Sequence, residues 1–197
     1  MNTVLMIPGF TGSSPGHWQS LWEREHPEYV RVQQRDWDHP DPVEWVAGVE
    51  RAVAEAPDSV VLVGHSLGCT VIARFAAECP SPKVIGALLV APSDVEAPTA
   101  PPEVRCFAPI PLAPLPFRSV VVASTNDEFV SLARAEEFAR RWRARFVSIG
   151  AAGHIHTAAG YGPWPEGKRL LRELLEDAKG PAPQGSLDRG KDVSYKA

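Results

Sequence analysis

Gly64-His65-Ser66-Leu67-Gly68 is the segment of this 197-residue chain whose residue types and spacing best suit covalent chemistry. A serine hydroxyl is a weak nucleophile until a base takes its proton and a tight turn holds it forward. A β-branched apolar run, residues 59–63, leads into the motif without a gap, and a helical pattern over about 66–78 follows it. That strand–turn–helix setting predicts a serine held at a strand end, flanked by glycines that let strand and helix approach closely. The backbone N–H of Leu67, at the helix start, would then face an oxyanion formed where Ser66 attacks a carbonyl. The plainer alternative is that the two glycines merely shape a tight turn.

Such a serine needs a base, and the base needs a carboxylate to orient it. Of the six histidines, His154 follows the last predicted strand in a glycine-bearing loop, with His156 as its rival two residues on. His65 sits within the turn itself, its side chain directed away from that of Ser66. Asp127 follows the penultimate strand in Ala123-Ser124-Thr125-Asn126-Asp127-Glu128, with Asp94 and Glu128 as fallbacks. The order Ser66, Asp127, His154 is that of α/β-hydrolase triads. A second oxyanion donor is expected from Pro8-Gly9-Phe10-Thr11-Gly12, through Phe10 N–H first and Thr11 next. Thr11, His65, Trp37, Phe107 and Trp164 are candidates for the wall of a pocket. Trp18, spaced with Leu21 and Trp22, reads as core. Cys69, with no basic neighbour, reads as a small buried side chain rather than a second nucleophile.

These residues must be positioned by an alternating framework. Short apolar runs at 4–7, 29–33, 59–63, 84–90, 119–123 and 146–149 predict about six strands. Ser14-Pro15 looks like a helix start, and Asp41-Pro42-Val43-Glu44 has the spacing of a capping box. Further helices are predicted at 132–142 and 165–179. Strands that are apolar throughout, with helices between them, indicate a mainly parallel sheet covered on both faces. The proline-rich stretch 92–118 predicts an ordered surface excursion that could wall the site with Phe107, Ile110, Leu112, Leu115 and Phe117. One domain over 1–179 and a polar, Gly/Pro-rich tail over 180–197 complete the reading.

Composition narrows the partners. The chain is 44% hydrophobic and 22% charged, with a net charge of −4 and no large basic block, so neither nucleic acid nor an anionic membrane is favoured. No apolar run approaches a membrane span, and the N-terminus reads as a strand rather than a signal peptide. Three cysteines without C-x-x-C spacing speak against a disulfide framework or zinc site and fit a cytoplasmic location.

Taken together, Pro8-Gly9-Phe10, Gly16-His17-Trp18, the Ser66 motif, Phe107-Ala108-Pro109-Ile110-Pro111, Ala123-Ser124 with Asp127, and Gly153-His154-Ile155 with Gly162-Pro163-Trp164-Pro165-Glu166-Gly167 resemble the retinoblastoma-binding-protein / YdeN-type serine hydrolases. The resemblance spans about residues 3–178. It implies a compact α/β-hydrolase without a large cap domain. By motif it carries the nucleophile, acid and base roles onto Ser66, Asp127 and His154. His156 stands where an Asn is more usual. The Leu-x-Cys-x-Glu segment behind the retinoblastoma name has no counterpart here. The expected activity is cofactor-free hydrolysis of an ester or small amide through an acyl-enzyme. Acyl transfer by the same triad, or a non-catalytic interaction module on this fold, are the alternatives.

Overall fold

A computed structural model describes residues 2–177, so the expected tail and the end of the last predicted helix lie outside the described residues. Six strands form one sheet in the order β2-β1-β3-β4-β5-β6: β1 (Thr3–Ile7), β2 (Tyr29–Arg31), β3 (Val60–His65), β4 (Val84–Val90), β5 (Arg118–Ala123) and β6 (Arg145–Ser148). Every pairing is parallel. Among the described residues, four α-helices lie in the connections, α1 (Trp18–Glu25), α2 (Pro42–Glu55), α3 (Leu67–Glu78) and α4 (Leu132–Trp142), and α5 (Pro165–Asp177) follows β6.

The alternation of strand side chains builds two cores. Leu5, Ile7, Val60, Leu62, Leu89 and Val121 face a layer formed by Trp45 and Val49 of α2, Ile72 and Phe75 of α3, and Phe138 and Trp142 of α4. Val4, Met6, Val61, Val63, Leu88 and Val120 face Trp18 and Trp22 of α1 and Leu170, Leu171 and Leu174 of α5. Both sheet faces are thus buried, which is why the strands read as unbroken apolar runs.

The chain leaves β1 toward β2 on one side, whereas β3 lies on the other. The connections leaving the paired carboxyl ends of β1 and β3 run to opposite faces, α1 to one and α3 to the other, which makes a topological switch point, where open parallel sheets form their clefts. Ser66 follows β3 and Phe10 follows β1, so the order of strands alone brings those two loops together.

Local chemistry explains the helix starts. Asp41 caps α2 as its spacing predicts, accepting the N–H of Glu44 at 2.9 Å. Ser131 does the same for α4 through Arg134 N–H at 3.2 Å. Ser14-Pro15 does not open α1. The chain turns there, His17 N–H donating to Ser14 O at 2.9 Å, and the helix begins at Trp18 with His17 as its cap. The proline-rich stretch carries one 3₁₀ helix, Pro102–Phe107, a short form that admits proline in its first turn. Among the described residues, no helix is long and apolar enough to cross a membrane.

Candidate active site

Ser66 sits between β3 and α3 with φ 55° and ψ −123°, a backbone conformation that L-residues other than glycine seldom adopt. Its neighbours make that strain possible. A Cβ on Gly68 would fall 2.2 Å from Ile7 O, and one on Gly9 would fall 2.9 Å from the Cβ of Ser66. Glycine at both positions lets α3 press against the end of β1 and lets the following loop lie against the serine. Ser66 N–H donates to Val90 O at 3.0 Å, anchoring the turn to β4.

The loops after β5 and β6 are fastened by three successive contacts. Ala152 N–H donates to Ser124 Oγ at 2.9 Å, and Gly153 N–H to Asn126 Oδ1 at 2.8 Å. His154 Nδ1 lies 2.9 Å from both carboxylate oxygens of Asp127. The Asp127 side chain is fully buried and that of His154 is 5% exposed, so the pair is shielded from water. Asp127 Oδ1 also accepts the N–H of Phe129 at 2.9 Å, which holds the carboxylate toward the imidazole. With Nδ1 so engaged, Nε2 is the other ring nitrogen of His154, a residue that lines the same cleft as Ser66. Asp94 is directed elsewhere, toward Arg134 at 3.3 Å.

His65 and His154 are linked as well. Nε2 of the buried His65 donates to His154 O at 2.9 Å, tying the base loop to the serine turn. Burial pushes the pKa of the His65 imidazole well down, with the neighbouring His154 and His17 rings adding to the effect, so it donates as a neutral ring. His17 is depressed to about 3, chiefly by burial and then by its neighbours His156, Arg31 and His154. Burial pushes the Cys69 thiol up, opposing the thiolate that a nucleophile requires.

Ser66 opens onto a cleft of about 220 Å³. Phe10, Thr11, Gly12, His17, His65, Leu67, Ser93, Pro101, Val104, Phe129, His154 and His156 complete its lining. Thr11 and His65, candidates for its wall, are thus in the lining, together with Phe10 and Leu67, the expected oxyanion donors. Three expected wall residues lie elsewhere. Trp37 packs against Trp45, with ring centroids 5.5 Å apart, while its carbonyl accepts the N–H of Thr11 at 2.9 Å. Phe107 is fully buried against Trp45, and Trp164 is buried beside Trp18 and Trp22. The apolar wall comes instead from Pro101 and Val104, which precede Phe107, and from Phe129.

Sequence reasoning missed His17, Ser93 and Phe129 in the lining, and Ser124 and Asn126 in the loop clamp. The motif Ala123-Ser124-Thr125-Asn126-Asp127 held a signal for the last two, because small hydroxyl and amide side chains satisfy loop backbone. Among the described residues, no group of three or more His, Cys, Asp and Glu side chains is placed to hold a metal ion.

The comparisons with known proteins agree with this architecture. A YdeN-like hydrolase from Pectobacterium atrosepticum is 32% identical, with a TM-score of 0.81 over 90% of this chain and 92% of that one. The ydeN gene product of B. subtilis is 20% identical, with a TM-score of 0.73 over 89% of this chain and 100% of that one. Esterase 2 of Thermogutta terrifontis is 16% identical, with a TM-score of 0.66 over 93% of this chain and 85% of that one. The last two are likenesses of fold. No curated protein matches the sequence. The family model described as serine hydrolase matches residues 4–173, and on that match the chain belongs to the serine hydrolase family, with the α/β-hydrolase fold of its YdeN-like relatives.

Proposed function

We propose that this protein hydrolyses small carboxylic esters or amides through an acyl-enzyme on Ser66, with His154 as base and Asp127 as its orienting acid. The observation that carries the reading is the buried Asp127–His154 pair, 2.9 Å apart, whose imidazole lines the same cleft as a serine held at φ 55°.

Ser66 Oγ attacks the substrate carbonyl as His154 Nε2 takes its proton. The imidazolium so formed is stabilised by Asp127. The carbonyl oxygen becomes an oxyanion, held by the backbone N–H groups of Leu67 and Phe10. Thr11 N–H is already committed to Trp37 O, which supports Phe10 as the donor from that loop. His154 then returns the proton to the leaving oxygen or nitrogen, and the acyl group stays on Ser66. Water, deprotonated by the same imidazole, releases the acid. The small cleft, with its wall of Pro101, Val104 and Phe129, suits a short acyl group.

Labelling with an organophosphonate tests the assignment. The wild type should be modified stoichiometrically, and Ser66→Ala should show neither labelling nor hydrolysis of short-chain esters. Undiminished labelling of Ser66→Ala would remove Ser66 from the reaction.

A further inference from the structure

One side of the cleft is built by the segment between β4 and β5. Ser93 stands at its start, and Pro101 and Val104 lie further along it. Phe129, from the loop after β5, completes this side. The far end of the segment is anchored by Phe107 and Ile110 in the core. The near end buries Val95 and Ala100, and it is also tied to α4 by charge.

The tie is Arg134, in the first turn of α4. Its Nη1 donates to Glu137 Oε2 at 2.8 Å, and its Cζ lies 4.5 Å from the centre of the Phe138 ring, so its own helix fixes the guanidinium. Nη2 donates to Glu96. Nε, shielded from water, faces Asp94 Oδ2 at 3.3 Å as an ion pair without hydrogen-bond alignment. Glu96 carries the link onward, because its other carboxylate oxygen accepts the N–H of Ile110 at 3.0 Å, 14 positions along the chain. The stretch from 96 to 110, which contains Pro101 and Val104, is thus closed by Glu96 and held to α4 by Arg134. Asp94 N–H donates to Phe129 O at 3.0 Å, so the same tie reaches the third wall residue.

A second gap, of about 10 Å³, shares Ser93, Pro101, Val104 and Phe129 with the cleft and is otherwise lined from within residues 94–100. These four residues therefore stand between two spaces rather than against solid packing, and their position depends on how the segment is tied down.

We infer that Arg134 is a positioning residue that sets the length of acyl chain the cleft admits, by holding the wall of Pro101, Val104 and Phe129 in place through Asp94 and Glu96. The inference rests on the hydrolase reading given above, in which the acyl group lies along that wall. Arg134 itself does not line the cleft. Its removal leaves Asp94, Glu96 and Glu137 grouped without their cation, two on the segment and one on α4. Like charges repel, so the segment moves off α4 and the wall retreats, lengthening the space beside Ser66.

The test measures kcat/KM for the p-nitrophenyl esters of acetate, butanoate and hexanoate, which share a leaving group. It is run on the wild type, Arg134→Gln and Glu96→Gln. Gln at position 96 keeps an acceptor for the Ile110 N–H and loses the ion pair. The hexanoate-to-butanoate ratio should rise about five- to tenfold in each variant, the effect of burying one or two further methylene groups, while acetate is still cleaved. A ratio that does not rise in Arg134→Gln overturns the assignment. So does an equal loss on all three esters, the result expected if the cluster serves only to stabilise the fold. Thermal melting and organophosphonate labelling are measured on the same samples. Should Arg134→Gln fail to fold, Glu96→Gln, which leaves Arg134 its other two carboxylates, decides by the same ratio. An unchanged ratio beside a wild type that turns over and is labelled removes the role of Arg134 and leaves the Ser66 reading standing. A wild type with neither turnover nor labelling overturns the hydrolase reading, and the role of Arg134 with it.

Discussion

The Asp127–His154 contact decides what each ring nitrogen can do. A carboxylate on Nδ1 holds the proton there and presents Nε2 unprotonated, the state a base requires. Replacing Asp127 by Asn keeps the shape but offers Nδ1 an amide, which no longer selects that tautomer. Asp127→Asn should fold normally and lose about 10³–10⁴-fold in kcat on short esters. A loss below tenfold would overturn the acid role proposed for Asp127. Ser124 and Asn126 act through the loop, because their contacts to Ala152 and Gly153 set the height at which His154 enters the cleft.

Close approach governs how the elements meet. α3 can lie against the end of β1 only because residue 68 lacks a Cβ, which would otherwise sit 2.2 Å from a backbone oxygen that cannot rotate away. Gly68→Ala should destabilise the fold by at least about 3 kcal/mol, measured by denaturant unfolding. The same shift would part the serine turn from the Phe10 loop. The 3₁₀ helix Pro102–Phe107 illustrates a different division of labour. Its Val104 faces the cleft, while Phe107 anchors it in the core against Trp45. Phe107→Ala should therefore cost about 3–5 kcal/mol of stability. Its acyl-chain preference should match that of the wild type at temperatures where both are folded. A changed preference at full stability would return Phe107 to the cleft wall.

The whole molecule should be acid-sensitive because it buries neutral histidines. His17 has a folded-state pKa of about 3 against its usual 6.5, and burial depresses His65 in the same direction. Between those two pH values the unfolded chain binds protons that the folded chain does not. Stability is therefore full above about pH 6.5 and falls as the pH drops through that window, at up to about 1.4 kcal/mol per pH unit for each histidine. Unfolding free energies measured from pH 7 to pH 4.5 should decline accordingly, and His17→Gln should decline less steeply. A profile for His17→Gln as steep as that of the wild type would show that His17 titrates normally in the fold.

Much of this was legible in the chain because it is local. Unbroken apolar runs specify strands buried on both faces, and their alternation with helices specifies a parallel sheet. Gly64-His65-Ser66-Leu67-Gly68 announces a serine at a strand end, and the placement of Asp127 and His154 after later strands follows from the order of elements. Helix starts were less legible. Ser14-Pro15 has the composition of a cap, yet α1 begins at Trp18 because His17 supplies the acceptor. Only the tertiary structure divided the aromatic residues between cleft and core. Phe107 and Trp164 went to the core and the partly buried Trp37 to its edge, while His17 and Phe129 came to the cleft. Local periodicity reports that a side chain is buried. It does not report against what, because the partner is fixed by contacts between segments far apart in the chain. Trp18 and Ile155, 137 positions apart, are joined by one hydrogen bond, and that join holds the start of α1 against the loop that carries His154.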